Sequence, residues 1–194
     1  MRIDGPVALA SRNAGKLREL CVLAEEKLVL VSQPEDSPMV VEDGDTYLAN
    51  AQLKARAIAG HVDGWALADD SGLEVDALDG RPGIYSARYG GAGLDDQKRY
   101  EHLLSEMVGL SDRAARFRCT LVLAHPDGRE VMADGTLEGE IALAAAGAGG
   151  FGYDPVFAAT PLGGRILAEV AREEKAAVSH RANAMAALLA QLVA

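Results

Sequence analysis

Little in this chain points toward a disulfide scaffold, a zinc site or a membrane. Of its 194 residues only Cys21 and Cys119 are cysteines, far apart and without C-x-x-C or H-E-x-x-H spacing. A disulfide framework is thereby excluded and no zinc signature is present. Cys21 falls on an apolar helix stripe and Cys119 in an alternating strand, so both are expected as core thiols. No apolar run reaches membrane-spanning length, and no basic start followed by a long apolar stretch marks a targeting segment; the expected location is the cytoplasm. Basic residues number 19 against 29 acidic ones, a net charge of −10, which makes nucleic acid or an anionic membrane a poor main partner. Aromatics are scarce at 5%, yet 49% hydrophobic content leaves ample core for one domain spanning residues 1–194.

An acidic protein that handles an anion needs focused cations or a metal held by carboxylates. Two stretches supply such groups. In Leu67-Ala68-Asp69-Asp70-Ser71-Gly72-Leu73, a short apolar run delivers two adjacent carboxylates, a hydroxyl and a glycine to what reads as a strand end. Adjacent carboxylates suit a cation or a proton-transfer task; the same residues also suit an Asp-Ser-Gly turn. Ala10-Ser11-Arg12-Asn13-Ala14-Gly15-Lys16 joins an apolar run to a helix striped by Leu17, Leu20, Cys21 and Ala24. That turn offers amides, a hydroxyl and an ammonium to an anion, or simply caps a helix with Ser11 or Asn13. It is not a P-loop, because Ala10 and Leu17 stand where glycine and a hydroxyl residue belong.

Periodicity predicts strands over 7–11, 28–32 and 65–68, helices over 14–26 and 46–59, and an exposed acidic loop over 33–45. Asn50 and Lys54 share a face of the second helix, four residues apart. A glycine-rich loop is predicted over 80–93 and a helix over 95–107. An alternating strand around 117–123 then returns through Asp127-Gly128 into a long strand over 130–141. This order predicts an α/β fold with mixed sheets, long antiparallel strands and two lobes around a cleft. Gly147-Ala148-Gly149-Gly150-Phe151-Gly152 fits G-x-G-x-x-G only formally, since Tyr153-Asp154-Pro155 follows where a helix should open. Glycines beside Phe151 and Tyr153 could instead let an aromatic base lie against them. Ser179 is placed to cap a C-terminal helix, and His180 and Arg181 could donate to the carbonyl oxygens of a base.

Taken in order, these motifs resemble the noncanonical purine nucleoside triphosphate pyrophosphatases, the inosine/xanthosine triphosphatase family. Ser11 to Lys16, Glu42-x-Gly44-x-Thr46 with Asn50-Ala51 and Lys54-Ala55, Ala68 to Leu73, Pro82 to Tyr89, Gly150 to Pro155 and Ser179-His180-Arg181 carry the resemblance. It implies a two-lobed α/β fold with a central twisted sheet, a homodimer, and Mg²⁺-dependent hydrolysis of the triphosphates of inosine, deoxyinosine or xanthosine to monophosphate and pyrophosphate. By family role, Ser11, Arg12, Asn13, Ala14, Gly15, Lys16, Lys54 and Ser71 bind substrate. So do Phe151, Gly152, Tyr153, Asp154, Lys175, His180 and Arg181. Glu42 and Asp70 lie at the metal, with Asp70 the proton acceptor. Two positions depart from the family pattern: Arg12 stands where glycine is usual, and Ala49 where many members carry glutamate. Rival readings are a phosphohydrolase that releases the γ-phosphate and a nucleotide-binding regulator without turnover.

Overall fold

The computed structural model describes residues 3–24 and 27–193. In chain order the elements are β1 (Val7–Leu9), α1 (Ala14–Ala24), β2 (Leu30–Ser32), α2 (Tyr47–Val62), β3 (Ala66–Val75), α3 (Asp96–Glu106), β4 (Ala114–Ala124), β5 (Glu130–Ile141), β6 (Phe157–Ala159), β7 (Arg165–Ile166), α4 (Arg172–Val178) and α5 (His180–Val193). Seven strands form a mixed sheet in the order β2-β1-β3-β4-β5-β6-β7. Pairing is parallel where strand–helix units precede it (β1 with β2 and β3) and antiparallel at β5-β6 and β6-β7. The chain divides into two compact units, one of residues 1–70, 119–135 and 180–194, the other of 71–118 and 136–179.

In the first unit the strand period of two builds two cores. Val7, Leu9, Leu67, Leu121 and Leu123 pack with Leu20 of α1 and with Met185 and Leu188 of α5. The alternate residues Ala8, Ala10, Ala66, Ala68 and Val122 pack with Ala51, Ala55 and Ile58 of α2. Small side chains on that second face let α2 come close. Helix α2 begins where the Thr46 hydroxyl accepts from the Ala49 amide, and it ends at Asp63 in the left-handed region (φ 48°). In the second unit Leu73, Val75, Leu137 and Ile141 pack with Leu103, Met107 and Phe157, and the Phe117 and Phe157 rings lie 4.6 Å apart.

The strand predicted over 65–68 does not end at the carboxylates. β3 runs through Asp69, Asp70, Ser71 and Gly72 to Val75, because buried Leu73 and Val75 continue the two-residue period around half-buried Glu74. The Asp-Ser-Gly turn is thereby replaced by strand. The second helix passes residue 59 to Val62. The first helix is described to Ala24, and residues 25–26 of the predicted span lie outside the described residues. Asp95 caps α3, its carboxylate accepting from the Lys98 amide at 2.8 Å. Within the predicted loop 80–93, Gly83–Arg88 forms 3-10 turns.

Candidate active site

Because successive strand side chains face opposite ways, Asp69 continues the row of Leu67 toward α1 and α5, and Asp70 the row of Ala66 and Ala68 toward α2. Asp69 is 1% exposed. It is ion-paired to the Lys16 ammonium, and it accepts from Arg181 Nε at 2.9 Å and from the Cys119 thiol at 3.2 Å. Arg181 Nη1 also reaches Glu19 Oε2 at 3.2 Å. Burial alone would push Asp69 up; Arg181 and then Lys16 override it and hold the carboxyl well below its ordinary 3.8. Asp69 is therefore held as an anion at neutral pH. Burial, with the Asp69 charge beside it, pushes the Cys119 thiol up, so Cys119 is the neutral core thiol foreseen from the sequence.

On the α2 face, Lys54 Nζ donates to Asp70 Oδ1 at 3.0 Å and to the Asp69 carbonyl at 2.9 Å, and stands 3.3 Å from Glu42 Oε1. Burial raises the Asp70 carboxyl above 3.8 against the pull of Lys54, which gives it appetite for a proton. Burial would lower Lys54, but Asp70 and then Glu42 more than offset it and the ammonium is held above its ordinary 10.5. Asn50, one turn before Lys54 as its spacing predicts, accepts from the Gly44 amide at 2.9 Å through Oδ1. A Cβ at Gly44 would lie 2.8 Å from both Asn50 Oδ1 and the Ala49 side chain. That contact accounts for glycine two residues after Glu42.

Among the described residues no cluster of three or more metal-ligating side chains exists. Glu42 and Asp70 nevertheless converge on one cation, the Lys54 ammonium. Two carboxylates already gathered on one cation are the oxygen donors a hard ion takes, its remaining oxygens coming from waters and phosphates.

The turn at 11–16 is a capped helix start. Asn13 Oδ1 accepts from the Gly15 and Lys16 amides at 2.8 and 3.2 Å, and Ser11 Oγ from the Asn13 amide at 3.2 Å. Ala14 opens α1. What the turn offers an anion is the Ser11 hydroxyl, the positive helix end and the Lys16 ammonium. Arg12 donates through Nη2 to the Ser37 carbonyl at 2.9 Å. Arg181, foreseen as a base contact, has Nε and Nη1 on carboxylates and is 3% exposed. His180 beside it opens α5 and is also buried.

The second unit gathers its own sequence-predicted residues. Asp154 Oδ2 accepts from the Phe151 amide at 2.8 Å and is ion-paired to Lys175, whose ammonium lies 4.8 Å from the Phe151 ring centroid. The Phe151 ring is half exposed. Gly150 takes φ +74°, and a Cβ there would fall 2.1 Å from Asp154 Oδ2. The Gly152 amide donates to Asp96 at 2.8 Å. Tyr153 is buried and donates to the Ser86 carbonyl at 2.9 Å, while Ser86 Oγ accepts from the Leu73 amide at 2.8 Å. Ser71 follows Asp70 on β3. Sequence reasoning did not single out Glu19, Ser86 or Asp96. Glu19 stands one helical turn after Lys16 and Ser86 inside the Pro82–Tyr89 stretch, and those positions were the available signals.

A protein of Thermosynechococcus vestitus named dITP/XTP pyrophosphatase is 48% identical over 187 residues, 95% of this chain and 94% of its own length. One of the same name from a Nostoc species is 46% identical over 96% of this chain and 93% of its own. The solved structure of a HAM1 protein from Coxiella burnetii superposes with a TM-score of 0.89 at 38% identity, covering 97% of this chain and 98% of that one. The Ham1 family model matches residues 7–191, and with nearly the whole length accounted for in sequence and in fold, the chain belongs to the Ham1 family.

Proposed function

We propose that this chain hydrolyses noncanonical purine nucleoside triphosphates, those of inosine, deoxyinosine and xanthosine, to the monophosphate and pyrophosphate. The observation that carries the reading is the split between neighbouring carboxylates. Asp69 is locked as an anion by Arg181 and Lys16, whereas Asp70, with its raised proton affinity, is free of those partners and set beside Lys54 and Glu42. A water's proton needs an acceptor of the second kind, and Asp70 takes it at Oδ1 or Oδ2. Lys16 and Lys54 offset the charge of the triphosphate, and Ser11 with the start of α1 orients it. Glu42 and Asp70 would hold Mg²⁺, which would supply a Lewis acid for the phosphate oxygens and charge compensation for the pyrophosphate. The names of the relatives support the substrate class.

For the base, the Lys175 ammonium and the half-exposed Phe151 ring beside it supply a donor and a stacking face, which suit a 6-keto purine and mismatch the adenine amino group; Arg181 and His180 are buried, Arg181 on carboxylates. Gly152, Tyr153 and Asp154 build the loop that carries Phe151. We assign the enzyme to the cytoplasm, where its free thiols Cys21 and Cys119 stay reduced, and to a homodimer, as the family resemblance implies. The test is a panel of nucleoside triphosphates with Mg²⁺. Equimolar monophosphate and pyrophosphate from inosine triphosphate, with adenosine triphosphate spared, is the expected result. Release of orthophosphate, or no turnover of any member, overturns the reading.

A further inference from the structure

The loop that carries Glu42 has little of its own to hold it. Met39 and Val41 are 80% and 72% exposed, so apolar packing does not fix its middle. Toward its end it is fastened by Glu42 on Lys54 and by the Gly44 amide on Asn50. Toward its start it dips inward at Ser37, 4% exposed between exposed neighbours. The Ser37 hydroxyl is buried without a hydrogen-bond partner, so Ser37 itself is held through its main chain, while Asp36 beside it places Oδ1 3.3 Å from His61 Nε2 of α2. The amide of Ser37 donates to the Pro34 carbonyl at 3.1 Å, and its carbonyl receives Arg12 Nη2 at 2.9 Å. Beside this bond a pocket of about 440 Å³ opens, lined by Ser11, Arg12, Asn13, Leu17, Gln33 and Pro34. Arg12 lines that pocket and also reaches the Ser37 carbonyl. Pro34 and Pro38 flank the fastened residue with fixed φ, which stiffens the stretch leading on toward Glu42.

We propose that Arg12 is a positioning residue: its guanidinium straps the carboxylate-bearing loop 33–45 to the turn at 11–16 and thereby holds Glu42 in register with Lys54 and Asp70. The role deepens the reading given under Proposed function and rests on it for its meaning, though not for its test. A charge-assisted hydrogen bond to a buried carbonyl suits the task, since leaving that carbonyl unsatisfied is unfavourable. Glycine, usual at this position in the family that the sequence resembles, has no side chain to make such a bond.

The test compares hydrogen exchange across residues 33–45 in wild type, Arg12→Gly and Arg12→Met, without metal or nucleotide. The methionine variant keeps the apolar stem, separates loss of the donor from loss of bulk, and carries the test should the glycine variant fail to fold. Both variants are expected to exchange faster in this loop by about fivefold, mid-range for one net hydrogen bond, with α2 and β3 unchanged. The Mg²⁺ concentration that half-saturates pyrophosphate release from inosine triphosphate should rise by a similar factor. Wild-type exchange at 33–45 in both variants overturns the proposal; if the KM for inosine triphosphate rises at the same time, Arg12 is an ordinary phosphate contact. Absence of pyrophosphate release from the wild type sinks the functional reading instead, and the exchange data still decide the strap.

Discussion

Asp69 and Asp70 share a peptide bond, but their carboxylates are hydrogen-bonded to different cations. The pair was legible in the sequence as chemistry, but its division of labour was not. That division depends on β3 continuing past the pair, which sends one side chain toward α1 and α5 and the other toward α2. Asp70→Asn keeps an oxygen for Lys54 but cannot take a proton. Pyrophosphate release should fall by about 10²- to 10⁴-fold, with inosine triphosphate still bound in calorimetry. A near-normal rate would remove Asp70 as base. Asp69→Asn strands Arg181 and Lys16 instead, and should destabilise the fold by about 3–5 kcal/mol at neutral pH. The sign of its pH dependence follows from the lowered folded value. Stability from ionised Asp69 is present above its ordinary 3.8 and is lost as pH falls below that toward the folded value. In chelator-treated protein the gap between wild type and variant, read from denaturant midpoints, should therefore narrow below pH 3.8. A gap constant from neutral pH downward would show that Asp69 is not the compensated charge.

At the level of elements, long periodic segments were readable, and so were the three-residue strands β1 and β2, which flank the predicted helix α1. α1, α2, α3, β4 and β5 follow from apolar spacing, and the structure adds Thr46 and Asp95 as caps of α2 and α3. β6 and β7, of three and two residues, are too short to display a period. One signal went unused: Gly135 inside β5, where an isolated glycine marks a close backbone approach. Its missing Cβ makes room for α5, since a Cβ there would lie 2.1 Å from the His180 carbonyl and 2.3 Å from the Ala184 amide. Gly135→Ala must push the start of α5 off β5, and with it Arg181. A stability loss of about 3 kcal/mol is expected, near the upper end for forced overpacking. It should come with faster exchange at the first turn of α5; a variant as stable as wild type would mean that the helix rests elsewhere.

On the scale of the whole chain, the sequence shows alternating strands and helices, then a long antiparallel pair, and the mixed seven-stranded sheet follows that order. It does not show which segments share a unit. No linker or change of composition marks residue 70, 118, 135 or 179, because β3, β4 and β5 cross the first three as continuous strands and only Ser179 separates α4 from α5 at the fourth. Removing residues 180–194 takes α5 and Arg181 from the first unit. We expect that truncation to abolish cooperative thermal unfolding of the unit, whereas loss of helix signal alone, with a sharp transition kept, would contradict it.

The counter-charges of Asp69 come from opposite ends of the chain, Lys16 early and Arg181 late. On the ribosome the carboxylate is made after its first partner but more than a hundred residues before its second. Until α5 emerges, a half-neutralised acid would sit where Leu67 and Leu121 need to exclude water. Nascent chains arrested short of Arg181 should thus stay open to protease along β1 and β3, and closure should coincide with the arrival of the last helix.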